Sequence, residues 1–315
     1  MGQIRAKAIE SSGLGEVVGI YDEQSIDDTP YRVYDRDIDA IEDAEVEAVF
    51  VCTPNHRIVD LCKAGLNAGK HVFSEKPPAR TAAGVEEVRE IEAKAGKVLM
   101  YGFNHRHHES IKQMKRIVES GEMGKILWMR GRYGKEVDES FFQGWRADPE
   151  LAGGGIMLDQ GIHMLDLFLH LGGNFDEVHA LVSNLFWKID GIEDNVFAIF
   201  KSSETGICAS LHSTMTQWRY IFSLEVFLEG GAMILNGLKT SSGAYGTEDL
   251  VIKRNEASQH GDFNEEEHVV CEFNDSWDSE IDQFFSAIRG EGTIDLGSSS
   301  DALQLMQVMD KVYGR

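Results

Sequence analysis

The first hundred residues alternate between apolar runs and amphipathic segments. Residues 46–52 (VEAVFVC) form an apolar run without polar alternation, which is typical of a parallel strand buried on both faces. Further strand patterns occur at 16–21, 71–74 and 98–103, and helical patterns at 3–11, 58–68 and 84–95. Strands and helices that alternate at this length predict a doubly wound parallel α/β sheet.

The pattern changes near residue 105, where helices become few. After a helix at 109–119, the segments with strand character are 126–133, 177–187, 196–201, 206–215, 222–228, 250–253 and 268–273. Further helices are predicted at 159–171, 278–289 and 300–313. Because so few helices separate the strands, we expect a large, mainly antiparallel open sheet in an α+β domain. The sequence therefore predicts two domains, residues 1–104 and 105–315.

Composition narrows the class of protein. Hydrophobic residues make up 42% of the 315 residues and charged residues 26%, as in ordinary globular proteins. No apolar run approaches a membrane span, and the N-terminus lacks the apolar core of a secretory signal. The net charge of −23 repels phosphate backbones and anionic lipid, so we expect neither nucleic-acid nor membrane binding.

Cysteine usage indicates a reducing compartment. The cysteines Cys52, Cys62, Cys208 and Cys271 are widely spaced and form no C-x-x-C pair. We expect them to be reduced, buried small hydrophobic residues of a cytoplasmic protein. A zinc–cysteine site is not expected.

The N-terminal segment carries half of a dinucleotide-binding fingerprint. A Rossmann-type fold opens with a strand and G-x-G-x-x-G, and an acidic residue follows about 20 positions later. Gly2 opens a predicted helix and Asp22 ends the next predicted strand, 20 positions on. Because the first strand and the first two glycines are missing, we expect Met1 to be an internal residue of a longer chain. The alternative is that Gly2 is an ordinary terminal residue.

Asp22 bears on the choice of cofactor. A carboxylate at this strand end would accept hydrogen bonds from both ribose hydroxyls and would repel a 2′-phosphate. It therefore favours NAD over NADP. The alternative is a loop aspartate without such a role.

Two other predicted strands end in residues suited to a nicotinamide site. The run Thr53-Pro54-Asn55 follows the apolar strand, and such sheets bind ligands at the carboxyl ends of their strands. The pair Glu75-Lys76 follows the strand at 71–74, and the lysine charge there would stabilise a developing alkoxide. Taken alone, both runs could be ordinary solvated turns.

A third run places acidic and histidine side chains in an apolar helix. Asp159 and His163 are four positions apart, so they would share one helix face, and Asp166 and His170 continue it. His163 is a natural proton acceptor near neutral pH, and an adjacent carboxylate would orient it. The alternatives are a structural Asp/His pair, since buried polar groups need partners, and a metal site. The lack of a third ligand with suitable spacing argues against a metal.

Basic residues are concentrated in one segment of this acidic chain. They are Arg106, Lys112, Lys115, Arg116, Lys125, Arg130, Arg132, Lys135 and Arg146. A local positive patch would suit an anionic substrate, such as a sugar acid or a nucleotide sugar. The alternative is a solvated helix face with exposed strand ends.

Together these runs resemble the glucose–fructose oxidoreductase, inositol dehydrogenase and MocA family (Gfo/Idh/MocA). The matching runs, in the family's order, are VCTPNHRI, SEKP, YGFNHRHH, MRGRYGKE, WRADPELAGGG and LDQGIHMLD. The resemblance covers nearly the whole chain and departs from the family at the front of the glycine loop. The run Gly191-Ile192-Glu193-Asp194-Asn195, together with Gln217-Trp218, further resembles a subgroup associated with carbohydrate metabolism.

The resemblance implies both architecture and site residues. It implies a Rossmann domain, an open-sheet domain used for homodimer or homotetramer contacts, and nicotinamide-dependent redox chemistry on a sugar, cyclitol or sugar derivative. Lys76, before a cis Lys76–Pro77 bond, matches the catalytic lysine, and Asp159 and His163 match the family's catalytic pair. The expected cofactor-binding residues are Gly2, Asp22, Thr53, Pro54, Asn55, Glu75, Lys76, Asn104, Trp145 and Arg146.

The leading hypothesis is reversible alcohol oxidation with NAD(P). His163 would take the hydroxyl proton, Lys76 would stabilise the alkoxide charge, and Asp159 would hold the histidine tautomer. A non-catalytic ligand sensor or partner subunit on the same fold is the alternative, and the incomplete glycine loop favours it. A hydrolase that uses bound NAD transiently is a third reading, which redox-neutral turnover would reveal.

Overall fold

The fold is described from a computed structural model that covers residues 1–24, 26, 28–240, 242–255 and 266–315. The chain divides into two compact units: residues 1–104 with 277–306, and residues 105–276 with 307–315. These units differ from the predicted span 105–315 because residues 277–306 group with the N-terminal part. The division into two domains at residue 104 stays a prediction.

The N-terminal unit alternates short parallel strands with helices. Its elements are α1 Gly2–Ser12, β1 Gly19–Ile20, β2 Arg32–Val33, α2 Asp37–Glu42, β3 Ala48–Val51, α3 Ile58–Asn67, β4 His71–Glu75, α4 Ala82–Ala95, β5 Leu99–Gly102, α8 Ser276–Ile288 and the first part of α9 Ser299–Tyr313. The strands β3, β4 and β5 pair in parallel in that order, and β1 pairs in parallel with β2. The predicted parallel Rossmann-type sheet is confirmed.

Phenylalanines fill the core beside this sheet. Phe50 on β3 stacks on Phe73 on β4 with ring centroids 5.1 Å apart. Phe284 on α8 meets both rings edge-on, at 5.4 and 5.6 Å. Offset and edge-on contacts are the arrangements that aromatic quadrupoles favour. The helix α8 is therefore part of the core that positions the ends of β3 and β4.

The C-terminal unit is a large sheet with helices on one face. Its elements are α5 Glu109–Ser120, β6 Ile126–Glu136, α6 Pro149–Ala152, a π-helix Met157–Gly161, α7 Ile162–Gly172, β7 Glu177–Ser183, β8 Asn195–Lys201, β9 Cys208–Thr214, β10 Thr216–Leu228, β11 Gly231–Asn236, β12 Glu248–Arg254 and β13 Glu267–Cys271. The strand order is β13-β12-β11-β10-β6-β9-β8-β7, and only the β6–β9 pair is parallel. The predicted mainly antiparallel sheet is confirmed.

A glycine lets the helix α7 approach this sheet closely. A Cβ atom on Gly131, in β6, would lie 2.4 Å from Met164 Cγ and 2.9 Å from Phe168 Cζ, both on α7. Real Cβ atoms do not approach other atoms so closely, so a larger residue would push the helix away. Because α7 also carries His163, this packing contributes to the placement of the histidine.

Several predicted elements differ from the structure. The predicted strand at 16–21 shortens to Gly19–Ile20, because its partner β2 offers only two residues for pairing. The strand β11 was not predicted, and β10 extends further back than predicted, to Thr216. Of the cysteines expected to be buried, Cys62 is buried whereas Cys208 is exposed. No helix in the described part of the chain is long and apolar enough to cross a bilayer.

The predicted strand at 177–187 ends early, at Ser183, because a buried carboxylate accepts hydrogen bonds from the backbone of the residues that follow. The Asp194 oxygens accept the backbone N–H groups of Leu185 at 3.0 Å, Phe186 at 2.7 Å and Trp187 at 2.9 Å. These N–H groups therefore leave the sheet. The Asp194 side chain is fully buried, while the three donor residues lie at the surface or are partly buried.

We expect the substitution Asp194→Ala to lower the free energy of unfolding by about 2–4 kcal/mol, because it removes a buried carboxylate that accepts three backbone hydrogen bonds. Urea unfolding followed by circular dichroism measures the loss. The matched control is Asp190→Ala, at an exposed aspartate of the same segment, which should unfold like the wild type. Equal unfolding midpoints for Asp194→Ala and wild type would show that the carboxylate is not needed.

Candidate active site

The carboxyl ends of β3, β4 and β5 bring together most of the predicted cofactor residues of the N-terminal unit. The run Thr53-Pro54-Asn55 follows β3, Lys76 follows β4, and Asn104 follows β5. Because these strands are parallel neighbours, their ends lie along one edge of the sheet. Asn55 and Asn104 are both buried, and the Lys76–Pro77 bond is cis, as the resemblance implies.

One polar atom at this edge has no hydrogen-bond partner among the residues that the structure describes. The hydroxyl of Thr53 is buried and makes no hydrogen bond to any described residue. Buried polar groups are nearly always paired, so an orphaned hydroxyl requires an explanation. A nucleotide held at the carboxyl ends of the strands would supply polar atoms there, so the residues present fit a dinucleotide cofactor.

The two remaining N-terminal candidates lie at element ends. Gly2 begins α1, and a Cβ atom on it would meet no atom within 4 Å, so protein packing does not require a glycine there. Asp22 is exposed and follows β1, and its Oδ1 accepts the backbone N–H of Gln24 at 2.9 Å. The aspartate therefore closes its own turn while its carboxylate remains exposed.

The predicted cofactor residue Glu75 belongs to a buried charge cluster that sequence reasoning missed. Arg5, on α1, places Nε 2.6 Å from Glu75 Oε1 and Nη1 2.8 Å from Glu280 Oε2. Its guanidinium also lies 4.3 Å from the Phe73 ring centroid. Although burial lowers the pKa of Arg5, the carboxylates of Glu280 and Glu75 outweigh burial and raise it above its ordinary value.

Space for this guanidinium is provided by a glycine. A Cβ atom on Gly102, at the end of β5, would lie 2.8 Å from Arg5 Nη2. The available sequence signal was a charged residue on the apolar face of α1, since Arg5 is buried together with Ala6, Ala8 and Ile9. The cluster fixes Glu75, and thereby the backbone that leads directly into Lys76.

In the C-terminal unit, His163 lies in a buried cluster of aromatic rings. The His163 ring stacks on the His105 ring with centroids 3.9 Å apart and an interplanar angle of 15°. His105 Nε2 lies 3.0 Å from the Tyr133 hydroxyl. Sequence reasoning assigned no role to His105 or Tyr133, although both lie within runs that carry the family resemblance. Stacking and burial hold His163 in one orientation.

The prediction that Asp159 and His163 lie on one face of a single α-helix is wrong, because the two residues belong to helices of different types. Asp159 lies in the π-helix Met157–Gly161, and α7 begins only at Ile162. A π-turn bonds residue i to i+5, so the α-helical spacing of side chains does not apply across it. Asp159 Oδ2 is 2.5 Å from Lys135 Nζ, and its Oδ1 is 3.2 Å from Arg146 Nε.

A second buried carboxylate determines where this π-helix begins. Glu193 accepts the backbone N–H groups of Gly155 at 2.6 Å and Met157 at 2.9 Å, and the Tyr313 hydroxyl at 2.7 Å. Burial raises the pKa of Glu193, although these hydrogen bonds act in the opposite direction. A Cβ atom on Gly155 would lie 2.1 Å from the Glu193 carbonyl oxygen, so only glycine fits there.

Asp166, a further member of the predicted Asp/His stripe, forms a buried ion pair. Asp166 binds Arg106 through both carboxylate oxygens, with distances of 2.6 to 3.1 Å, and both side chains are buried. The predicted cofactor residues Trp145 and Arg146 belong to this unit, in a 3₁₀ helix, where the guanidinium lies 4.3 Å from the indole centroid. Among the described residues, no three His, Cys, Asp or Glu side chains could together hold a metal ion.

The predicted positive patch is largely neutralised by ion pairs. The pairs are Arg106–Asp166, Arg116–Glu109, Lys115–Glu119, Arg130–Glu225, and Asp159 with Lys135 and Arg146. Basic side chains that already have carboxylate partners create little net field for an anionic substrate. Six of the nine basic residues thus have carboxylate partners, which lowers the net positive field of the segment, and the anionic substrate stays a prediction.

Comparison with known proteins identifies both parts of the chain. Residues 1–103 match the family model described as "Oxidoreductase family, NAD-binding Rossmann fold". Residues 111–234 match the model described as "GFO/IDH/MocA C-terminal domain". The N-terminal part is thus an NAD-binding Rossmann domain by family.

Several curated relatives are sugar and cyclitol dehydrogenases. Levoglucosan dehydrogenase from Pseudarthrobacter phenanthrenivorans is 32% identical over 145 residues, which are 45% of this chain and 37% of the relative. D-glucoside 3-dehydrogenase from Escherichia coli is 36% identical over 145 residues, or 45% of this chain and 40% of the relative. Inositol 2-dehydrogenase from Salmonella typhimurium is 38% identical over 120 residues, covering 38% of this chain and 35% of the relative. The matches therefore span well under half of these relatives' length.

Solved structures agree with the fold. A levoglucosan dehydrogenase in complex with NADH and levoglucosan superposes with a TM-score of 0.85 at 20% identity, covering 100% of this chain and 94% of that one. A dehydrogenase from Bordetella pertussis in complex with NADH and UDP-GlcNAcA gives 0.82 at 21% identity, covering 99% and 92%. At such identities the likeness concerns the fold.

The buried cluster around Arg5 gives a prediction for stability. Arg5→Met should lower the free energy of unfolding by about 3–5 kcal/mol, because it leaves buried carboxylates without their cation. Chemical denaturation measures the change, and Lys7→Met, at an exposed position of the same helix, is the matched control. If both variants unfold at the same denaturant concentration, the cluster does not support this unit.

Proposed function

Because the chain belongs to the GFO/IDH/MocA oxidoreductase family, we propose that it is an NAD-dependent dehydrogenase. Its substrate is a secondary alcohol of a sugar, a cyclitol or a sugar derivative. The observation that carries the proposal is a histidine held in a buried cluster of the C-terminal unit, in a chain that also has an NAD-binding domain with a lysine at the end of β4. The chain thus has a candidate general base for the substrate hydroxyl and a domain that binds the hydride acceptor.

In the proposed reaction, His163 accepts the proton of the substrate hydroxyl as general base. Bound NAD⁺ supplies the acceptor for the hydride that leaves the same carbon. The Lys76 ammonium stabilises the negative charge that develops on the oxygen. Asp159 orients His163, while its contacts with Lys135 and Arg146 hold the carboxylate in place.

The cofactor site uses the carboxyl edge of the parallel sheet. The buried side chains of Asn55 and Asn104, the orphaned Thr53 hydroxyl and the neighbouring Pro54 line this edge. Gly2, at the N-terminus of α1, would hold the pyrophosphate, and Asp22 would bind the ribose hydroxyls. The Glu75 carboxylate is paired with Arg5, so the role of Glu75 is to fix the position of the backbone next to Lys76. The remaining two proposed cofactor-binding residues, Trp145 and Arg146, belong to the C-terminal unit.

The proposed substrate is a neutral polyol. Relatives carry names such as levoglucosan dehydrogenase and inositol 2-dehydrogenase, which denote uncharged polyhydroxylated compounds. Six of the nine cations of the basic segment are paired with carboxylates, which favours an uncharged substrate over an anionic one. A cytoplasmic location accords with four free cysteines.

We further propose a homo-oligomer formed through the C-terminal sheet. The outer face of β7 and β8 exposes Leu181, Phe197 and Ile199, with 74%, 51% and 57% of their surfaces accessible. Leu181 pairs directly with Phe197 across the two strands, so the apolar side chains are contiguous. Contiguous apolar surface on a sheet face is typical of a protein–protein interface.

The central test is the loss of turnover in site variants. His163→Ala should lower kcat for polyol oxidation by about 10²–10⁴-fold, because the general base is removed, and Lys76→Ala should also lower it. NADH formation measured by absorbance gives kcat, and NADH fluorescence shows that His163→Ala still binds the dinucleotide. The matched control is His179→Ala, at an exposed histidine on β7.

Wild-type turnover in both His163→Ala and Lys76→Ala would refute the assignment. If the wild type binds NADH and polyol but forms no NADH from any polyol, the chain is a ligand sensor, which was the alternative. Product formation without net NADH would instead identify the redox-neutral hydrolase.

Cofactor preference gives a separate prediction. Asp22→Ser should improve the use of NADP relative to NAD by about tenfold or more, because it removes a carboxylate that repels the 2′-phosphate. The ratio of kcat/KM values for the two cofactors is the readout, and Asp28→Ser, in the same loop region, is the control. An unchanged ratio in Asp22→Ser would mean that Asp22 does not contact the ribose.

A further inference from the structure

One acceptor atom in the π-helix that precedes α7 has no partner among the described residues. Gln160, in the π-helix, donates its Nε2 hydrogen to the Tyr245 hydroxyl at 2.6 Å. Its amide oxygen Oε1 is buried but accepts no hydrogen bond from any residue that the structure describes. A carbonyl oxygen only accepts, so the missing partner must be a donor.

The Tyr245 hydroxyl joins this amide to the histidine cluster. The Tyr245 ring packs edge-on against Tyr133 with centroids 5.2 Å apart, and the two hydroxyls interact. Tyr133 in turn contacts His105 and lies 6.1 Å, centroid to centroid, from His163. Burial raises the pKa of Tyr245, so its hydroxyl remains neutral and can both donate and accept.

An exposed aromatic ring borders the same amide and hydroxyl. Tyr220, on β10, packs edge-on against Tyr245 with centroids 5.2 Å apart, and 37% of its surface is accessible. Aromatic rings with a polar end offer an apolar surface to the C–H face of a sugar ring and a hydroxyl to its edge. The group therefore combines a donor–acceptor hydroxyl, an unpaired acceptor and an apolar wall.

We propose that Gln160 and Tyr245 form a subsite that recognises one non-reacting hydroxyl of a neutral polyol. The substrate hydroxyl donates to Gln160 Oε1 and bonds the Tyr245 hydroxyl, while Tyr220 packs against the ring. The subsite rests on the proposed function and assigns it two specificity-determining residues. A carboxylate or phosphate is excluded, because the lone pairs of Oε1 would repel it and no cation is described among the subsite's contacts.

The test compares the variants Gln160→Met and Tyr245→Phe with the wild type. The probes are myo-inositol, levoglucosan and methyl glucoside, each with its monodeoxy analogues, oxidised with NAD. We expect KM for the preferred polyol to rise about tenfold in each variant, as for one lost hydrogen bond, with kcat little changed. The preference of the wild type for the polyol over one particular deoxy analogue should fall by the same factor.

The loss of discrimination at a single hydroxyl separates recognition from a structural effect. A variant that merely loosens the site would lower activity on all probes alike, and that result would overturn the proposal. Gln307→Met, at an exposed glutamine on α9, is the matched control. Thermal unfolding of each variant shows whether it folds. Tyr245→Phe removes a single oxygen atom, so it is the smaller of the two structural changes.

The proposal and the proposed function can fail separately. A wild type that oxidises a polyol, with variants that keep its KM and its discrimination, overturns the subsite and leaves the dehydrogenase intact. A wild type that oxidises none of the probes refutes the proposed function, and equilibrium binding then decides the subsite. Polyol binding that is weakened in Gln160→Met and Tyr245→Phe supports the subsite, and no binding by the wild type overturns it.

Discussion

A single buried carboxylate, that of Glu193, determines the geometry on which the C-terminal site depends. It accepts two backbone N–H groups at the entrance to the π-helix and the hydroxyl of Tyr313 near the end of the chain. The two N–H groups lie at the start of the π-helix that contains Asp159 and Gln160. The helix α7, which contains His163, follows this π-helix directly. The chemistry of the site therefore depends on a contact that touches none of its reacting groups.

The same principle operates in the N-terminal unit with the charges reversed. There a buried cation, Arg5, holds the carboxylate of Glu75 and so fixes the backbone that continues into Lys76. Buried ion pairs are not in general a large source of stability, because desolvation offsets the attraction. Their value here is positional: an unpaired partner would be strongly unfavourable, so the charges permit one arrangement. Ion pairs with carboxylates also reduce the positive field of the basic segment.

Local patterns in the sequence predicted most of the fold. The apolar run at 46–52 contains β3, and the helical pattern at 58–68 corresponds to α3. Both patterns involve residues that are close in sequence, so they are visible without the structure. The shift from alternating helices and strands to strands alone near residue 105 likewise predicted the change from a parallel to a mainly antiparallel sheet. The strand β11 was missed because its short apolar run follows a glycine turn that resembles a loop.

The site was only partly predictable, because its contacts join residues that are distant in sequence. Arg5 and Glu75 are 70 positions apart, and no local pattern connects them. Likewise, the stacking of His105 on His163 and the partnership of Gln160 with Tyr245 depend on how strands and helices pack. The π-helix has no sequence signature of its own, so the i, i+4 spacing suggested an α-helix. Local patterns marked Lys76 and His163 as candidates, but only the resemblance to a family chose their catalytic roles over ordinary structural ones.

The most direct test of the central claim is to follow the hydrogen that leaves the substrate. The chain would be incubated with NAD⁺ and a polyol deuterated at each secondary carbon, and the NADH would be analysed by mass spectrometry. Direct hydride transfer predicts that one deuterium appears in the NADH for every ketone formed. Ketone formation without deuterium in the NADH, or conversion of the polyol without any NADH, would contradict the assignment of this protein as an NAD-dependent dehydrogenase.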